Sequence, residues 1–113
     1  MKIAIKLEPI KTLDDFNELI EVLHKAIKYL AAKPETKDLA LNFEALEKSL
    51  MKLLTIYSSL EEIVISNEDD ISSLFQLAGL VELGLVQTFN SNVINFLRKV
   101  QQQITGQKYH ETT

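Results

Sequence analysis

The 113-residue chain contains no cysteine and no tryptophan, and only three glycines, two prolines and two histidines. Without cysteine, neither a disulfide framework nor a cysteine-ligated zinc site can form. Scarce Gly and Pro leave few turn signals, which favours helices over a many-turned β fold. Positive charge is also short: 12 Lys and Arg stand against 16 Asp and Glu, for a net charge of −4 and a pI near 5.1. An acidic chain is ill suited to a phosphate backbone, so no nucleic-acid partner is expected. Long apolar runs are missing as well. The opening MKIAIKLEPIK alternates apolar residues with lysine and does not read as a signal peptide. The most apolar stretch, 74–86, is interrupted by Gln76 and Glu82 and falls short of the roughly 20 residues a membrane span needs. These exclusions predict a soluble, cytoplasmic protein with no membrane partner.

What is present is the composition of an ordinary globular domain, 46% apolar and 25% charged, expected to fold as one unit over 1–113. Residues 2–8 alternate Ile3, Ile5 and Leu7 with Lys2, Lys6 and Glu8, the period of a half-buried strand. A lone strand needs a partner for its backbone groups. Two candidates exist: the segment 62–66 (EIVIS), or the same strand from a second copy. A helix over 13–32 follows, opened by Thr12 with Asp15 three residues on, as in a capping box. Its stripe is Leu13, Phe16, Ile20, Leu23, Ile27 and Leu30.

The strongest periodicity lies in 37–64. Leu39, Phe43, Leu46, Leu50, Leu53, Tyr57, Leu60 and Val64 alternate spacings of four and three, which predicts one long amphipathic helix, the central strut of a bundle. A third helix over 67–87 is signalled by Ser66 with Asp69 as a start, and by acids in its first turn. Its apolar residues surround it on most sides, as in a buried helix. Asn90–Asn92 supply caps for a fourth helix over 91–105, with 106–113 read as a flexible tail. Neither Gly nor Pro marks a break between helices three and four, so one helix or two are both open. The pattern predicts a mainly α fold, a three- to four-helix bundle with a short N-terminal β-strand.

No catalytic, cofactor-binding or metal-binding set emerges. Glu21-x-x-His24 has the spacing of a di-iron ligand pair, but such bundles need a second motif and two more inward glutamates. Gly79-LVEL-Gly84 lacks the Lys-Ser/Thr of a phosphate loop and reads as close helix packing. The carboxylate pairs Glu44/Glu47 and Glu61/Glu62 suit a solvated helix face better than a cleft. The acidic cluster Glu61, Glu62, Glu68, Asp69 and Asp70 is the one group singled out for partner binding. Glu68 to Asp70 suit the start of a helix, whereas Glu61 and Glu62 would sit at a helix end whose dipole disfavours anions. The expectation is therefore a non-enzymatic helical interaction or regulatory module without cofactor, forming a homodimer. An acidic inhibitor or immunity-type protein that neutralises a basic protein is the alternative, and a ligand-binding bundle or small enzyme the second.

Overall fold

The computed structural model describes the backbone of residues 2–112 and the side chains of residues 2–106. Strand β1 (Ile3–Lys6) leads into helix α1 (Leu13–Ala31), and a single 3-10 turn at Pro34–Thr36 joins it to α2 (Lys37–Leu54). A second 3-10 turn at Tyr57–Ser59 precedes strand β2 (Glu62–Ile65), which is followed by α3 (Glu68–Glu82) and α4 (Ser91–Thr112). The fold is mainly α with a short two-stranded antiparallel sheet, as the pattern predicted.

The long helix over 37–64 does not form. Its first half holds: Phe43, Leu46 and Leu50 are buried, and Leu39 and Leu53 are partly buried. After Leu54 the sequence Thr-Ile-Tyr-Ser-Ser is rich in residues that hydrogen-bond their own backbone or lose side-chain freedom in a helix. Thr55 Oγ1 donates to the Lys52 carbonyl, and Ser59 Oγ donates to the Ile56 carbonyl. The β-branched run 63–65 then pairs with β1, Ile3 opposite Ile65 and Ile5 opposite Ile63. Those four isoleucines are buried on one face of the sheet. The internal candidate partner for the N-terminal strand is thus the one used, and Val64, expected in the helix stripe, lies half-exposed on the outer face.

Helix α1 is buried more broadly than its seven-residue stripe. Leu19, Val22 and Ala26 join Phe16, Leu23, Ile27 and Leu30 in the core, whereas Leu13 is half-exposed. The reason is that α1 packs on α2 along its length and also touches α3 and α4. Its predicted capping box is present in full. The cap of α3 lies one residue later than expected: Asn67, not Ser66, accepts from the Asp69 and Asp70 amides through Oδ1, at 2.8 and 3.4 Å.

Helices three and four are two, and Gly84 separates them. Its φ is +76°, a left-handed conformation that favours glycine. The Leu85 amide donates to the Leu80 carbonyl (2.9 Å) and the Gly84 amide to the Val81 carbonyl (3.1 Å). That pair of bonds is a Schellman motif with glycine in its usual place. A Cβ at Gly84 would meet no atom within 4 Å, so Gly84→Ala is expected to cost about 1 kcal/mol from backbone strain alone. Urea denaturation should show that loss without a change in slope. Gly79 does not serve close helix packing either, since an added Cβ there would meet only Gln101 Nε2 at 3.9 Å.

The start of α4 is fixed by polar side chains. Asn90 Oδ1 accepts from the Asn92 and Val93 amides. The Asn90 and Asn92 side-chain amides donate in turn to Asp15, at 3.0 and 2.9 Å. Asp15 also accepts from the Lys11 and Thr12 amides, so one buried carboxylate ties the N-termini of α1 and α4 together. The backbone of α4 continues past the predicted end at 105 to Thr112. One glycine, Gly106, weakens a helix by about 1 kcal/mol but does not stop it. The side chains of 107–113, which the flexible-tail reading covers, lie outside those described.

Candidate interaction surface

The apolar surplus of α3 is not fully absorbed by the core. Ile71, Leu74, Leu77 and Ala78 are buried, but Phe75, Leu80 and Val81 are only partly so. Beyond the helix end Leu83 is 75% exposed and Leu85 46%. Phe75, Leu80, Leu83 and Leu85 form one wall of a groove of about 470 Å³. The opposite wall comes from the end of α1 and the start of α2: Tyr29, Leu30 and Leu39. The Schellman turn positions Leu83 and Leu85 there, because the bond from the Leu85 amide to the Leu80 carbonyl folds the chain back over the last turn of α3. Lys33, Thr36 and Gln76 supply the groove's polar groups. The Lys33 ammonium lies 3.3 Å from the Tyr29 hydroxyl and 4.7 Å from the centre of its ring, and the Thr36 hydroxyl donates to the Leu30 carbonyl. The groove can therefore take an apolar body and offers one cation beside it. None of its residues is among the five acids that the sequence puts forward for partner binding, and Leu30 and Leu39 read there as core stripe. The legible signal was the excess of leucine on both sides of Gly84.

The acidic residues are placed differently. Because α2 ends at Leu54, Glu61 and Glu62 are not at a helix end, and the dipole argument for them lapses. Glu61 is exposed in the turn before β2, and Glu62 faces Lys6 across the sheet at 3.7 Å. Glu68, Asp69 and Asp70 form the first turn of α3, where the helix dipole favours anions. Ile63, Val64 and Ile65 separate the two groups by about 10 Å of strand, with Ser66 and Asn67 beyond. Burial and the neighbouring Asp69 push the Asp70 carboxyl above the usual range. The five acids therefore divide into a sheet end and a helix start, each with a local structural reason. All lie away from the groove.

His24 accounts for itself in a similar way. Its Nδ1 lies 3.0 Å from Glu47 Oε2 on α2, so it bridges two helices, while Glu21 points to solvent. Among the described residues no three His, Asp or Glu side chains gather as metal ligands, and no helix is long and apolar enough to cross a membrane. Tyr57, which the spacing places in the second helix's stripe but which stands on the 3-10 turn after α2, donates through its hydroxyl to the Ile10 carbonyl at 2.7 Å. No family model, curated protein or solved structure matches the chain.

Proposed function

We propose that the protein is a non-enzymatic helical interaction module whose groove between α1, α2 and α3 receives the apolar face of a helix from a protein partner. The observation that carries this reading is the groove itself: three helices converge on an apolar trough that their own side chains leave unfilled, with Leu83 and Leu85 standing at its edge. Helix-in-groove recognition places residues spaced by three and four into such a trough. The Lys33 ammonium favours a partner carrying an acid beside its apolar stripe.

Selection of amphipathic helical peptides from a displayed library against the intact protein tests this. Peptides so obtained should bind at least tenfold more weakly to Leu83→Glu, because a carboxylate would replace a leucine whose burial contributes roughly 2 kcal/mol. Leu41→Glu, at an exposed position of α2 that does not line the groove, should bind as the wild type does. Equal binding to the wild type and Leu83→Glu would exclude the groove as the site.

A further inference from the structure

The two edges of the sheet are finished differently. The Leu7 amide donates to the Glu61 carbonyl, which fixes the alternation of the ladder. The pairs Ile5–Ile63 and Ile3–Ile65 exchange hydrogen bonds, and the backbone groups of Ala4, Lys6, Glu62 and Val64 point away from the partner strand. On β1 that outer edge is partly closed, because Gln103 Nε2 of α4 donates to the Ala4 carbonyl. On β2 no described residue bonds the outward N–H and C=O groups of Glu62 and Val64. Beside this edge runs a groove of about 240 Å³ between β2 and α2, lined by Leu46, Leu50 and Leu53 on one side and Ile63, Ile65 and Ser66 on the other. An open edge of this kind is a template for another strand.

We propose that β2 of a second copy occupies this edge, antiparallel, about a twofold axis through Val64. The sequence of the strand is self-complementary in that register. Val64 meets Val64, and Glu62 meets Ser66, so no like charges stand opposite one another. The outward groups of Val64 meet those of Val64 in the second copy, and extension of the strand by one residue to Ser66 lets Glu62 pair as well, giving about six backbone hydrogen bonds. Glu62 keeps its Lys6 neighbour within its own protomer, so the joined sheet carries no stranded charge. Two strands alone make a marginal sheet, and the twofold converts two such pairs into one sheet of four. This surface is separate from the groove of the proposed function, and neither reading depends on the other.

The chain has no cysteine, so a single Val64→Cys reports the contact directly. Hydrogen-bonded partners in an antiparallel pair have Cα atoms about 5.5 Å apart, within disulfide range. Oxidation of Val64→Cys with diamide should convert most of the protein to a covalent dimer, and Leu83→Cys, exposed on the other groove, should not cross-link. Light scattering should show the wild type and Leu83→Glu as dimers. Val64→Lys, with two ammonium groups forced together at the axis, should be a monomer that keeps the wild-type circular dichroism and the peptide binding of the α1–α2–α3 groove. A monomeric wild type at millimolar concentration overturns the proposal. So does cross-linking at Leu83→Cys without cross-linking at Val64→Cys, which would make the other groove the self-association surface.

Discussion

Replacing Asp15 with alanine is expected to lower the stability of the fold by about 3 kcal/mol, near the top of what one polar side chain contributes. Asp15 is 8% exposed, and its carboxylate accepts from two backbone amides of its own helix entry and from the side-chain amides of Asn90 and Asn92 at the start of α4. Loss of the capping contacts alone costs about 1 kcal/mol. Hydrogen bonds to a charged group add roughly 1.5–3 kcal/mol, and the Asn90 and Asn92 amides would be left without their acceptor. The charge makes the effect pH-dependent. Asn90 is the main group holding the Asp15 carboxyl below its ordinary value of 3.8; burial opposes it, and the Lys11, Asn92 and Thr12 contacts reinforce it. A depressed folded pKa means that the contribution is complete above the unfolded value and is lost as pH falls through the folded one. Asp70 works in the opposite sense, since its raised pKa lets the folded state take up a proton first and gain stability as pH falls. Comparison of the wild type with Asp15→Asn isolates the first group from the second. Urea midpoints should differ most near about pH 7 and converge toward about pH 2. A difference that stays constant with pH would show that Asp15 acts through shape and not through charge.

This carboxylate also shows where the sequence could be read and where it could not. The local half of its role, the box with Thr12, was legible because both partners lie within one turn. The other half joins residues 75 and 77 positions apart, and nothing in a run of Asn90, Ser91 and Asn92 says which carboxylate they will meet. The failed second half of the long helix has a related cause. Tyr57, Leu60 and Val64 continue a seven-residue spacing, and that spacing competes with the alternation of Ile63 and Ile65 over the same segment. The need of β1 for a partner decides between them, since pairing satisfies the backbone groups of both segments at once. That decision is tertiary, and a periodicity count cannot make it. Gly84 departs from the pattern for the opposite reason: its apolar neighbours suggest a helix interior, while the chain needs a left-handed residue to turn. The same conflict conceals the groove, because Leu83 and Leu85 continue the apolar pattern of the helix but form the lip beyond its end.

The second large effect is expected at Phe16, where the turn that ends the failed helix meets the core. Phe16 is fully buried, and its ring lies 5.1 Å from that of Tyr57 at a 45° tilt. Tyr57 stands on the 3-10 turn after α2 and donates to the Ile10 carbonyl between β1 and α1, so the two rings and this hydrogen bond join helix α1 to two connections that local structure leaves independent. Burial, with a smaller push from Asp15, raises the Tyr57 pKa and keeps the hydroxyl protonated as a donor. Phe16→Ala should cost about 4 kcal/mol from lost burial and the cavity left behind, whereas Phe16→Leu should cost about 1 kcal/mol. Against a total stability of roughly 5–15 kcal/mol, the alanine variant would lose between about a quarter and four fifths of what holds the fold together. The distinctive expectation is coupling. Tyr57→Leu removes the ring edge and the hydroxyl together, and the double variant should be less unstable than the sum of the singles by about 1 kcal/mol. Simple additivity in urea denaturation would mean that the two rings stabilise their neighbours separately. The turn at Tyr57–Ser59 would then be held by its hydrogen bond to Ile10 and not by the aromatic contact.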